Sequence, residues 1–236
     1  MEAYHPHGNH KPKKIKDYLL EFVMIFVAIT GGFFMENLRE HRVDRHKEKE
    51  YIVRLIRDIK EDTAKINSII KKNQRQLTGL DSLTNLLDKP VNTIDPMVFE
   101  DQLRFANNYY GFTPRDITIS QLRNSGGLRL IENNSVADSI VDYYSTIDHF
   151  CELNVKLNYR YLEDNVKIEM QFIDFYSNTK NSKLNISDTN KLKELKNRCF
   201  VFKAQIKWDN VWLKNDVYKK GESLLKNLKN EYHVND

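Results

Sequence analysis

The sequence predicts an all-α chain: one N-terminal transmembrane helix continuing into an elongated helical bundle with two long antiparallel helices. Three observations predict it. Among 236 residues there are only 8 glycines and 5 prolines, and no proline lies between Pro12 and Pro90. Helix breakers are scarce, while Lys, Glu, Leu and Ile are abundant. Tyr18 to Met35 is the only apolar run long enough to contest with a bilayer, and a seven-residue repeat of aliphatic residues follows it. The segments read from these features are a His- and Lys-rich tail at 1-14, the transmembrane helix at 15-36, a charged stalk and heptad-patterned helix at 37-88, and a helical bundle domain at 89-236.

Taken in order, the tail holds His5, His7 and His10 beside Pro6, Gly8 and Pro12. A histidine cluster can bind metal, but no second ligand set closes a site, so it reads as a solvated tail. The eighteen residues of the apolar run span about 27 Å at about 1.5 Å each, against a hydrocarbon core of about 30 Å. The strictly uncharged part, Phe22 to Met35, is fourteen residues, a length that also suits a signal-peptide core or a buried helix. Three features favour a retained span. Lys11, Lys13, Lys14 and Lys16 precede the run and Arg39, Arg42 and Arg45 follow it, where long cationic side chains snorkel. Tyr18, Phe33 and Phe34 fall near the interfaces, and no small-x-small cleavage site follows.

Glu21 is the odd residue within the run. Helical spacing places Glu21, Ile25, Ala28 and Gly32 on one face. Ala28 and Gly32 form a small-x-x-x-small pair that lets another helix approach closely. The face reads either as a helix–helix seam in the membrane or, more plainly, as a solvated carboxylate at headgroup depth. The sharpest version makes Glu21 a proton-carrying group. Basic residues nearly tie on the two flanks, and the short Lys-rich N-terminus is the natural cytoplasmic end.

From Glu36 to Glu50 ten of the fifteen residues are charged, a solvated stalk in which Glu36–Glu40 and Asp44–Glu48 repulsions are offset by nearby arginines. One heptad register then holds Ile52, Ile59, Ile66, Asn73, Leu80 and Leu87, and a second holds Leu55, Asp62, Ile69, Gln76 and Leu83. Ile56, Thr63, Ile70 and Leu77 broaden the stripe, which suits an intramolecular bundle helix better than a self-associating coil. Gly79 marks a candidate bend. Asp88-Lys89-Pro90 ends the helix, Asp95 caps a short helix over Met97–Tyr109, and Gly111 stops it. Thr113 caps a further turn that ends at Asn124-Ser125-Gly126-Gly127. Leu128 to Ile131 is a connector, and Asn133 or Asn134 caps a helix predicted over Ser135–Ser177. A polar loop follows at 178–187. Ser187 caps a last helical run from Asp188 to about Tyr232, with Asn197 or Asn210 as its candidate break. Trp208 and Trp212, i and i+4, read as core rather than as an exposed platform.

The missing chemistry is equally informative. Charged residues make up 30% of the chain with a formal net charge of +4, and the two signs are interleaved, so no stripe suits nucleic acid. Two cysteines, Cys151 and Cys199, exclude a disulfide-dense secreted scaffold; they read as unrelated thiols, with a single bridge as the alternative. No phosphate-binding loop, zinc-spaced set or Gly-x-Ser-x-Gly elbow appears. His41 and His46 are out of helical phase, and His149 and Cys151 point apart. The acid pairs Glu61–Asp62 and Glu163–Asp164 read as solvated helix surface. No catalytic residue, metal or cofactor is expected. Ser125, Gly126 and Gly127 could hold an anion or a peptide end on exposed amides, although a helix cap that tucks Leu128 and Ile131 inward explains them more plainly.

Two segments carry a resemblance. Tyr18-Leu-Leu-Glu-Phe-Val-Met-Ile-Phe-Val-Ala-Ile with Glu36-Asn-Leu-Arg-Glu-His-Arg is one. Ile119-Ser-Gln-Leu-Arg-Asn-Ser-Gly-Gly-Leu-Arg-Leu-Ile-Glu-Asn with Ile140-Val-Asp-Tyr-Tyr is the other. Together they resemble an uncharacterised bacterial family of small single-span membrane proteins, over most of residues 15–180. Gly127 stands where that family commonly has Asn. The resemblance implies a span and an α-helical domain, and it implies no activity. The expectation is a bacterial inner-membrane protein with a cytoplasmic N-terminus and the bulk of the chain in the periplasm. It would be a non-enzymatic interaction or assembly protein whose partners are the lipid bilayer and either a second copy or another membrane protein. The alternative is a sensor or a subunit of a transport or ion-conducting complex, with Glu21 in the pathway.

Overall fold

A computed structural model describes residues 14–106, 108, 110–171 and 189–234. Among them all regular structure is helical. Helix α1 spans Ile15–Leu86, α2 Pro96–Ala106, α3 Ile117–Ser125, α4 Asn134–Glu169, α5 Thr189–Trp212 and α6 Lys219–Tyr232. Two 3-10 turns, Val91–Thr93 and Gly127–Leu130, join them, and a π-helical turn at Leu213–Tyr218 joins α5 to α6 without a break. The histidine tail, the predicted end at Ser177, the polar loop and the Ser187 cap lie outside the described residues.

The chain divides into two compact units, residues 1–49 and 50–236. In the first, the described residues form helix throughout after Lys14. None of its apolar window is buried, and it is the one helix of the described residues long and apolar enough to cross a membrane. Phe22 and Phe26 stack at 6.3 Å. Arg39 answers Glu36 at 2.5 Å and Lys47 answers Asp44 at 3.5 Å, so i,i+3 pairs offset the stalk's like-charge repulsions.

The second unit is built on the predicted aliphatic stripe. Ile52, Leu55, Ile59 and Ile66 of α1 enter one buried cluster with Ile119 and Leu122 of α3, Ile140 and Ile147 of α4, and Leu224 and Leu228 of α6. Leu77, Leu80 and Leu83 enter a second with Phe99 and Leu103 of α2 and Leu195 and Phe202 of α5. Ion pairs and one hydrogen bond give the order of the helices. Asp81 pairs with Lys203 and Asp88 with Lys196. Asn133 donates to Glu231, Lys220 pairs with Asp142 and Arg198 with Asp164. As residue numbers climb along α1 or along α4, their partners' numbers fall along α5 and α6. The two long helices expected to be antiparallel partners are therefore each tied to the C-terminal helical run.

Local chemistry sets the boundaries. Asp95 accepts from the Met97 and Val98 amides at 2.8 and 3.3 Å, and Asn133 from Ser135 and Val136 at 3.0 and 3.3 Å, as caps do. Gly126 ends α3 at φ 67°, a conformation that glycine adopts without steric cost. Ile131 is buried beyond it and Leu128 partly so. Both cysteines are free.

Several expectations are corrected. At Gly79, the candidate bend, α1 stays helical; the Phe105 ring covers that glycine, and an added Cβ would lie 2.2 Å from it. α2 stops at Ala106, short of Tyr109, which is outside the described residues. Thr113 does not cap α3, which starts at Ile117 behind Asp116; the Arg115 amide is already held by Asp62. Neither Asn197 nor Asn210 interrupts α5; the winding widens after Trp212 instead. Trp208 is not core, being 50% exposed.

Gly221 of α6 sits where three helices converge. A methyl there would meet Thr63 at 3.1 Å and Tyr143 at 3.2 Å. Gly221→Leu is expected to destabilise the protein by about 1–3 kcal/mol through overpacking, read as a lower midpoint in urea unfolding. An unchanged midpoint would refute the convergence.

Candidate functional site

The first predicted face stands open within its own chain. Ile25 is exposed, Ala28 is exposed, and an added Cβ at Gly32 meets nothing within 4 Å. Glu21 is half-buried and engaged in an interaction of its own. The second predicted site is a helix end. Ser125 spends its hydroxyl on the Gln121 carbonyl at 2.7 Å, and Gly127 packs on Leu122. The turn is exposed around Gly126, and it works as a cap.

Two buried polar clusters are more elaborate. In the first, Asp58 and Asp62 are fully buried on one face of α1. Asp62 accepts the Arg115 amide on both oxygens, at 2.9 and 3.1 Å, with Lys65 at 3.6 Å. Asp58 accepts from Arg115 Nε at 3.1 Å and from the Thr118 hydroxyl at 2.5 Å, while Arg115 Nη1 reaches Glu61 at 2.7 Å. Burial pushes Asp62 up to about 6, against the Arg115 amide and Lys65, which lower it. The buried Tyr143 and Tyr144 rings stand edge-on at 5.1 Å, and burial raises both phenols above their ordinary range. The expectation that Glu61 and Asp62 are both solvated surface fails for Asp62. Position 62 lies in the heptad register, and that register was the available signal.

The second cluster crosses three helices. Asn73 donates to Asn210 at 2.8 Å, and Gln76 donates to the Ala106 carbonyl at 2.8 Å and to that of Asn108. Asn158 and Gln205 donate to the two oxygens of Asp209 at 3.1 and 2.8 Å. Gln205 also donates to Asn154 at 3.1 Å. Burial pushes Asp209 up to about 6, against these two donors. A void of about 10 Å³ adjoins Asn73, Gln76, Asn158 and Asp209, the size of one water probe. The buried Asn158 carbonyl and Asn154 amide nitrogen have no protein partner. This layer separates the two apolar clusters, and it fixes helix register by hydrogen bonding.

Between α1 and α2 a groove of about 480 Å³ is lined by Arg75, Gly79, Asp101, Gln102 and Phe105 among others. It is large enough for a small molecule. Among the described residues no group of three or more His, Cys, Asp or Glu is placed to hold a metal ion.

No protein-family profile, curated protein or solved structure matches this chain.

The polar layer makes a pH prediction. Asp209 loses its proton near 3.8 when unfolded and near 6 when folded. Between those values the folded state holds more protons, so this residue's contribution to stability is full below about pH 4 and falls as pH rises through about 6. The slope is at most about 1.4 kcal/mol per pH unit. Asp209→Asn should flatten that part of the stability profile relative to the parent, measured by denaturant unfolding of the full chain in detergent from pH 4 to 8. Parallel profiles would remove the assigned burial cost.

Proposed function

We propose that the protein is a membrane-anchored helical interaction or assembly protein with no catalytic role, and that it works as an oligomer or on another membrane protein. The observation that supports this reading is the exposed apolar stretch of α1: a window suited to a bilayer, none of it covered by the chain itself. Apolar side chains such as Leu20, Phe22 and Phe34, each more than 60% exposed, are costly in water and favourable in lipid. With the Ala28–Gly32 pair uncovered, close approach of a second helix is sterically open.

In this reading α1 spans a bacterial inner membrane from a cytoplasmic N-terminus. Residues 50–236 form an elongated periplasmic bundle. The chain would then sit among the small single-span proteins it resembles, a grouping that brings no activity with it. A second reading makes it a sensor or a subunit of a transport or ion-conducting complex. The observation favouring that one is the carboxylate of Glu21 within the apolar run.

Alkaline carbonate washing of membranes should leave the full-length chain in the pellet, and release of intact chain into the supernatant would end the anchor. Gly32→Leu should lower the oligomer mass measured by light scattering in detergent. Glu21→Gln then separates the two readings in vesicles: lost assembly with no change in proton leak supports the seam, and changed leak with assembly intact supports conduction.

A further inference from the structure

The cleft on the outer side of α5 carries chemistry that the anchor does not explain. Trp208 and Trp212 stand 4.8 Å apart, ring centre to ring centre, with planes at 80°. The two indoles therefore form a corner rather than a stack. Trp212 is braced from behind by α4, edge-on to Phe150 at 5.4 Å and His149 at 5.5 Å. Trp208 is half exposed, and so is Val211 beside it. The corner opens on a cleft of about 310 Å³ lined by Trp208, Val211, Trp212 and Asp216. Asp216 is the single charged residue of the four, and it lies on the π-helical turn. Such wide turns commonly occur at functional sites. This one re-phases the helix after Trp212, at the point where the carboxylate joins the wall.

We propose that this cleft binds an alkylammonium cation, with a quaternary ammonium group such as that of choline as the best fit. Indole faces carry negative potential and attract a cation within about 6 Å of the ring centre. The edge-to-face packing of the two indoles leaves exposed indole face beside a carboxylate, and the pair of groups holds a cation better than an indole alone. The Asp216 carboxylate supplies the opposite charge, while Val211 and the rings accept methyl groups. A quaternary ammonium has no N–H to satisfy, so it enters an apolar corner without stranding a donor. A primary ammonium would lose hydration that one carboxylate replaces only in part. Anions are repelled by Asp216, and a neutral ligand of the same shape gains only the apolar contact. The inference is independent of the membrane reading, because it rests on residues of α5, α4 and the π turn alone.

The chain contains two tryptophans, and both line this cleft, so intrinsic fluorescence reads the site directly. Full-length protein in a non-ionic maltoside detergent is titrated with choline chloride at constant ionic strength, and separately with 3,3-dimethyl-1-butanol, the neutral carbon analogue. The expected result is a saturable change with choline and binding of the neutral analogue weaker by about tenfold or more. Trp208→Ala should abolish the choline response, with Trp212 still reporting and circular dichroism unchanged. Trp208→Phe should retain part of it. Asp216→Asn should weaken choline by about fivefold or more while leaving the neutral analogue unaffected. Glycerophosphocholine binding more tightly than choline assigns the cation to a lipid headgroup, and weaker binding assigns it to a free solute. No saturable response to choline, equal binding of the neutral analogue, or indifference to Asp216→Asn would each overturn the proposal.

Discussion

The stripe of α1 from Ile52 to Leu83 must leave water, and the second unit is arranged around that requirement. A single helix cannot hide its own apolar face, so the stripe has to be covered by other elements. α3, α4 and α6 cover its first half and α2 with α5 its second. The stripe is not purely apolar, however. Asp62, Asn73 and Gln76 occupy heptad positions and are as buried as their aliphatic neighbours. Each forces a partner to come to it, because a polar group buried without a hydrogen bond costs more than the apolar contact around it returns.

That requirement explains features with no simple local cause. The segment before α3 is irregular because Asp58 and Asp62 together hold the Arg115 amide, its guanidinium and the Thr118 hydroxyl. Gln76 holds the carbonyls of Ala106 and Asn108 where α2 ends. Asn73 holds Asn210, next to Asp209, whose carboxylate gathers Asn158 and Gln205. The polar positions of α1 therefore act as addresses. Aliphatic contacts tolerate sliding along the helix, whereas hydrogen-bonded partners match at one register.

The two exposed apolar features need a different account. A run such as Tyr18 to Met35 and a corner such as Trp208 with Trp212 both leave apolar surface uncovered within the chain. Large uncovered patches mark surfaces that meet something else. The run has the length and flanking cations that suit lipid, while the corner has a carboxylate at its edge and the dimensions of a small solute. Each feature thus suggests its own kind of partner.

The linear pattern alone displays the helical class, the long apolar run, the stripe of α1, the Asp95 cap, a cap at Asn133 or Asn134 and the glycine stop at Gly126. All of these depend on spacing or on the chemistry of neighbouring residues, which a linear chain displays in full. Packing settles which helices are tied together, the burial of Asp62, the unbroken run of α5 past Asn210 into a π turn, and the outward face of Trp208. Those outcomes turn on residues 50 to 140 positions apart, whose desolvation costs are balanced only when they meet. A periodic pattern says which face is apolar. It does not say what that face will touch, nor which polar group on it will find a partner there.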